Sequence, residues 1–160
     1  MCFLKTVDFF CDIEYNRGNV GAKDELLQAT LNCNAEKVEQ LISDSHSENT
    51  SILQYNDENS LACVLSIAYY SARKDSIVHR ELATGKVFAD LVFIPRVGRT
   101  LPALIIGLKK GRSAEEAIQQ IKDNNYLQKV SEHSSEIILV GINYDEKKIH
   151  SCMIEKHKKS

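Results

Sequence analysis

Apolar residues recur with helical spacing through the first part of the chain. Residues 23–31 and the segment that follows Asn34 place apolar side chains near a period of 3.6, which predicts two short helices joined as a hairpin. The polar stretch 43–50 reads as a loop by its composition. A third and stronger helix is predicted from Asp57 onward, with an apolar face of Leu61, Val64, Leu65, Ala68, Tyr69 and Ala72.

The second part of the chain alternates strand-like and helix-like patterns. Segments 77–82, 87–94 and 103–109 are rich in β-branched and aromatic residues, and so are 136–143 and 148–155. Between the two groups, Ser113 followed by Glu116 forms a capping box that opens a helix. One mixed sheet with helices packed against it satisfies this order, which predicts an α/β domain.

Composition and charge narrow the function classes. The chain has 160 residues, of which 43% are apolar, and a formal net charge of -2. This balance excludes a histone-like polycation and an extended disordered chain. The charge is uneven, because residues 1–80 carry 7 basic and 12 acidic side chains while residues 81–160 carry 13 and 10. A polyanionic partner is therefore expected to meet the second half.

Cysteine usage and hydropathy indicate a reducing compartment. The five cysteines are odd in number, contain no C-x-x-C pair and follow no secretory leader. The longest apolar runs fall far short of the roughly 20 residues that span a bilayer. We therefore expect a cytoplasmic protein with no membrane partner.

An aspartate inside an apolar strand is the main chemical signal. If a hairpin turns at residues 96–100 with its centre between Gly98 and Arg99, paired positions sum to 197, and Asp90 lies opposite Gly107. Lys109 then shares the face of Asp90. Two interpretations follow: an ion pair between Asp90 and Lys109, which spacing alone favours, or a metal site in which the lysine stabilises developing charge.

Several segments, taken in their order along the chain, resemble the PD-(D/E)XK nuclease superfamily. The resemblance is closest to its bacterial branch in which this domain follows an AAA-ATPase-like domain. The resemblance spans roughly residues 25–155. The segments that carry it are Glu58-Asn59-Ser60-Leu61, Ala68-Tyr69-Tyr70-Ser71-Ala72-Arg73, Arg80-Glu81-Leu82, Thr84-Gly85-Lys86, Phe88-Ala89-Asp90-Leu91-Val92-Phe93-Ile94-Pro95, Pro102-Ala103-Leu104-Ile105-Ile106, Ala117-Ile118-Gln119-Gln120-Ile121-Lys122 and Val140-Gly141-Ile142-Asn143-Tyr144.

The resemblance implies a restriction-endonuclease-like core over residues 51–156. The residue pattern adds a helical segment over 1–50 packed on it and a frayed tail at 157–160. The resemblance also implies a Mg2+- or Mn2+-dependent hydrolysis of DNA phosphodiester bonds. The implied catalytic residues are Asp90 and Glu58 as metal ligands, Lys109 as the charge-stabilising lysine, and Gln120 as an orienting group on the later helix.

One departure from the family pattern bears directly on activity. Position 107, where the family has an acidic residue two positions before its lysine, is glycine. Glycine offers no ligand, so metal binding is expected to be weakened. A degenerate copy, an engineered change, and rescue by Glu58 or Glu81 all remain open. So does a non-catalytic module on the same fold that binds nucleic acid or protein.

Two classes of partner follow. DNA is expected along a basic rim, with Lys110, Arg112 and Lys122 as candidate contacts to its backbone. An AAA-ATPase-like domain in cis or in trans is implied by the resemblance, and the sequence leaves the oligomeric state open.

Overall fold

A mixed sheet with helices on both sides forms the part of the chain described by the computed structural model, which comprises residues 20–49, 65, 69–82, 89–123, 126–145 and 150–159. In chain order the elements are α1 (Val20–Leu31), α2 (Ala35–Asn49), a 3-10 helix (Tyr70–Lys74), β1 (Ser76–Leu82), β2 (Ala89–Pro95), β3 (Ala103–Lys110), α3 (Ala114–Asp123), α4 (Tyr126–Ser131), β4 (Glu136–Tyr144) and β5 (His150–Lys158).

The five strands lie in the order β1-β2-β3-β4-β5. The neighbours β3 and β4 are parallel, and the other three neighbouring pairs are antiparallel. The parallel pair requires a long crossover, which α3 and α4 provide. The predicted α/β class with one mixed sheet is therefore confirmed, and the five predicted strands are all present.

Strand alternation sends the sheet's apolar side chains into two cores. One core packs Leu104, Ile106 and Leu108 of β3 against Leu26 of α1 and residues of α2. The other packs Ile105 of β3 against Ile118 and Ile121 of α3. Because residues two apart in a strand share a face, odd positions of β3 lie on the α3 side and even positions on the α1–α2 side.

The junction between α1 and α2 is closed by local hydrogen bonds. The N–H of Asn34 donates to the Ala29 carbonyl oxygen at 2.9 Å, and Cys33 has a φ of 55°, which together form a left-handed helix end. The Asn34 side chain then accepts the Lys37 N–H at 3.1 Å. The predicted helical hairpin and its Asn34 cap are confirmed.

The predicted loop at 43–50 is wrong, because α2 continues to Asn49. This stretch is polar but contains neither glycine nor proline. A helix already started by buried Val38 and Ile42 extends at little cost through a segment without helix-breaking residues. Most of the predicted third helix lies outside the described residues, although Leu65 is helical and Ala72 falls in the 3-10 helix.

A buried hydroxyl pair connects α1 to the 3-10 helix. Thr30 Oγ1 donates to the Leu26 carbonyl oxygen at 2.8 Å and lies 2.7 Å from the Tyr69 hydroxyl. Since Thr30 has one hydroxyl hydrogen, Tyr69 is the donor in the second bond. Both side chains are fully buried, and burial raises the pKa of Tyr69 well above its usual value.

None of the helices that the structure describes has the length and apolar character that crossing a bilayer requires.

Candidate functional site

The β2–β3 hairpin brings the two candidate strands together in the predicted register. Val92 pairs with Ile105 and Leu91 with Ile106, so paired positions sum to 197 as the sequence predicts. The turn closes through an Arg99 N–H to Arg96 carbonyl bond of 3.0 Å, with Gly98 at a φ of 83°. Asp90 is the next residue of β2 beyond these pairs.

The placement of position 90 follows from strand alternation. Val92, two residues away, packs in the α3-side core together with Ile105. Position 90 lies on the same face as Val92, and Gly107 and Lys109 of β3 lie on the same face as Ile105. The structure thus brings the backbone positions of Asp90, Gly107 and Lys109 to one face of the sheet. The Asp90 side chain is outside what the structure describes.

Gly107 lies directly beneath α3. A Cβ atom built on it would stand 3.0 Å from the Ala117 carbonyl oxygen and 3.1 Å from both Cδ1 and Cγ1 of Ile121. These separations are shorter than ordinary van der Waals contact. An acidic side chain at this position would therefore need α3 to give by a few tenths of an ångström.

The neighbouring strand carries a second glycine at the same level. Gly141 of β4 pairs with Gly107, and a Cβ atom on it would overlap the Ala114 carbonyl oxygen. The glycine pair Gly107–Gly141 lets α3 approach the backbone of both parallel strands. Two residues further along the same strands, Lys109 pairs with Asn143 on the same face.

Gln120 lies on one flank of α3. Lys122 defines the opposite flank, since its Nζ is 2.7 Å from Glu155 Oε2 on β5, and the two positions are about 200° apart around the helix. Gln120 is therefore on the flank toward β2, where position 90 lies. Its Oε1 atom is buried and accepts no hydrogen bond from the described part of the chain. Glu58, the fourth predicted site residue, lies outside the described residues.

The three predicted contacts to a nucleic-acid backbone do not share one surface. Lys110 is on the α1–α2 side of β3, with Nζ 5.9 Å from the centroid of the Tyr144 ring. Arg112 is exposed at the end of β3, and its guanidinium lies 3.3 Å from Glu116 Oε2. Lys122 is on the β5 flank of α3. Lys110 and Arg112 both stand near the end of β3 at which Lys109 lies, but Lys110 is on the opposite face of the strand.

The described residues supply only part of the carboxylate set that a divalent cation would need, since Glu58 and the Asp90 side chain lie outside them. Such a cation needs several oxygen ligands, and Gly107 supplies none where one is expected. Within the ranges that the structure describes, no three His, Cys, Asp or Glu side chains are grouped so that they could hold a metal ion.

Sequence reasoning missed Asn143. This asparagine is only 8% exposed in an otherwise apolar strand, and its Oδ1 accepts the Arg112 backbone N–H at 2.9 Å. A polar residue at the end of a buried strand could have signalled it, because a buried amide must be hydrogen-bonded. Its partner was not predictable, since the β3–β4 register comes from the packing of α3.

Comparison with known proteins supports the geometry described above. A search of curated proteins found none that matches the chain. The family model of a PD-(D/E)XK nuclease superfamily matches residues 56–154, which include β1 to β4, α3 and the first part of β5. The chain belongs to the PD-(D/E)XK nuclease superfamily.

Proposed function

We propose that this nuclease-type domain binds DNA on the α3 side of β2 and β3 and has lost efficient phosphodiester hydrolysis. The observation that carries this proposal is the contact between α3 and Gly107. Position 107 has no side-chain ligand atom, and Ala117 and Ile121 lie 3.0–3.1 Å from the point where a side chain would begin. Glycine at position 107 permits this close packing of α3 but supplies no carboxylate. We therefore expect the fold to be kept while efficient hydrolysis is lost.

Metal chemistry explains why this loss is decisive. PD-(D/E)XK nucleases generally use divalent metal ions, which activate water and neutralise the charge that develops on the phosphate. Asp90 and Glu58 are the remaining candidate ligands for Mg2+ or Mn2+. Without an oxygen from position 107, more of the coordination shell must be water, and we expect the ion to be held weakly.

DNA binding requires positively charged side chains but does not require a metal ion. We assign the main backbone contacts to Lys109 and Arg112, because both stand at the end of β3 beside the α3 face. Lys110 and Lys122 are weaker candidates, since Lys110 lies on the other face of β3 and Lys122 lies on the flank of α3 that faces Glu155 of β5. Contacts of this kind bind the phosphate backbone and make affinity fall with salt.

A metal-dependent DNA nuclease is the second candidate. In that role Asp90 and Glu58 would hold the ion, Lys109 would stabilise negative charge, and Gln120 would orient a group in the site. The β2–β3 register favours it, because continuing the pairing by one residue brings position 90 opposite position 107. The unpartnered Gln120 Oε1 also favours an added polar group at this face.

An AAA-ATPase-like domain, in cis or in trans, is a further partner that we propose from the sequence resemblance alone. A purely protein-binding module would show no salt-dependent affinity for any nucleic acid.

The test is a fluorescence anisotropy titration of labelled double- and single-stranded DNA in EDTA over a range of salt concentrations. We expect saturable binding that weakens with salt. Lys109→Met should lower the affinity and reduce the salt slope by about 1. Lys156→Met is the matched control, since Lys156 lies near the far end of β5 and on the other face of the sheet. Absence of binding by the wild type, or equal effects of the two variants, contradicts the proposal.

A further inference from the structure

Asn143 is a buried polar side chain next to the proposed binding lysine. It pairs with Lys109 across the parallel strands β3 and β4, whose backbones are about 4.8 Å apart in such a pair. Both residues lie two positions beyond the Gly107–Gly141 pair, on the α3 side of the sheet. Asn143 is thus a side-chain neighbour of Lys109.

The orientation of the Asn143 amide is fixed by a backbone donor. The N–H of Arg112 points at Oδ1 from 2.9 Å, and only the oxygen of an amide can accept it. The preceding N–H, that of Gly111, donates to the Tyr144 carbonyl oxygen at 2.9 Å. Two successive donors of the β3–α3 turn are therefore bound to two successive residues at the end of β4.

The remaining half of the amide is a donor group. With Oδ1 bound to the turn, the two hydrogens of Nδ2 are directed away from Arg112, and no hydrogen bond from Nδ2 is formed within the described part of the chain. Phosphate oxygens accept hydrogen bonds from asparagine as well as from lysine and arginine. A donor held in one orientation loses little freedom when it binds.

We propose that the Asn143 amide group donates a hydrogen bond to a DNA backbone phosphate beside Lys109. This inference rests on the proposed DNA-binding function and adds a contact residue to it. Asn143 then has two roles: its oxygen holds the β3–α3 turn, and its nitrogen binds the ligand.

Asn143→Asp separates the two roles. The carboxylate keeps an oxygen for the Arg112 N–H, so the turn and the thermal midpoint should be retained. The second oxygen replaces the donor with an acceptor and repels phosphate. We expect about a tenfold loss of DNA affinity, the size of one hydrogen bond to a charged group. Gln128→Glu is the matched control, because it makes the same amide-to-acid change at an exposed position of α4.

The binding assay uses a labelled DNA duplex with the full chain, and a second measurement follows the Asn143 side-chain NH2 resonances by NMR during titration with unlabelled duplex. Those resonances should shift in the wild type. Equal affinity of Asn143→Asp and wild type, an equal loss in Gln128→Glu, or unmoved NH2 resonances would overturn the inference while leaving DNA binding intact. A wild type that binds no DNA would overturn the proposed function itself. If Asn143→Asp fails to fold, the NMR measurement decides.

Discussion

The Ala117 carbonyl oxygen lies 3.0 Å from the point that a Cβ atom on Gly107 would occupy. Helix α3 is therefore seated on the backbone of β3 at the position where related nucleases are expected to carry an acid. Helix α3 packs closely over the position from which the missing carboxylate would extend. Restoring an acidic residue requires Ala117 and Ile121 to shift by a few tenths of an ångström.

The first prediction concerns the glycine pair. Gly141→Ala should destabilise the domain more than Gly107→Ala, because its Cβ would overlap the Ala114 carbonyl oxygen, while a Cβ on Gly107 comes no closer than 3.0 Å to any neighbour. Overpacking of this kind costs about 1–3 kcal/mol of unfolding free energy. Urea unfolding followed by circular dichroism measures it. Gln128→Ala, at an exposed helical position, should change little. A Gly141→Ala protein as stable as the wild type would show that α3 is not seated this closely.

The second prediction tests the contact between Gly107 and Ile121. Ile121→Val removes Cδ1, one of the two side-chain atoms that lie 3.1 Å from the added Cβ. Alone it should cost about 0.5–1.5 kcal/mol. Combined with Gly107→Ala, the total loss should be smaller than the sum of the single losses, because the shortened side chain relieves the contact. Additive losses in a double-mutant cycle by urea unfolding would mean that the two positions do not touch.

The third prediction concerns the buried hydroxyl pair. Thr30→Val leaves the Tyr69 hydroxyl buried without its acceptor, which should cost about 1–3 kcal/mol. Tyr69→Phe should cost less, because Thr30 still donates to the Leu26 carbonyl oxygen. In the double variant, Tyr69→Phe should add little to the loss caused by Thr30→Val. Thermal and urea unfolding measure all three, and a Thr30→Val protein of wild-type stability would contradict the assigned bond.

The fourth prediction concerns alkaline pH. Burial, and secondarily the Glu39 carboxylate, raises the pKa of Cys152 from 9.0 to about 12. Between these values the unfolded chain loses the thiol proton that the folded protein keeps, so stability falls as pH rises. The contribution is complete below pH 9 and declines by at most about 1.4 kcal/mol per pH unit above it.

Cys152→Ala should remove that contribution. The difference in unfolding free energy between wild type and Cys152→Ala is expected to be constant below pH 9 and to shift above it by the slope just given. Urea unfolding at a series of pH values measures it. Parallel pH profiles across the alkaline range would show that the Cys152 thiol keeps its ordinary pKa.

The sequence was sufficient for elements whose signals are local. The turn centred between Gly98 and Arg99 set the β2–β3 register, and the Ser113 hydroxyl does accept the Glu116 N–H at 3.1 Å. Both features depend on residues close together in the chain. The end of α2 was missed because polar composition alone does not stop a helix that has no glycine or proline.

The candidate site depends on packing between residues that are distant in the chain. The sequence therefore predicted it only in part. Alternation along β3 is enough to predict that Lys109 and Lys110 lie on opposite faces of the sheet. The sequence analysis nevertheless expected the basic residues to form one rim that binds DNA. The Lys122–Glu155 pair could not be seen in the sequence, because it requires knowing that β5 lies beside α3. The same holds for the approach of Ala117 to Gly107, which is set by how the helix crosses two strands.

The most direct test of the account is incubation of supercoiled plasmid DNA with the wild-type protein and Mn2+, alongside a binding measurement on the same sample. Asp90→Asn is the control for any contaminating nuclease. We expect the plasmid to be bound and to remain intact. Cleavage that requires the divalent ion and disappears in Asp90→Asn would contradict the account and establish the domain as an active nuclease despite Gly107.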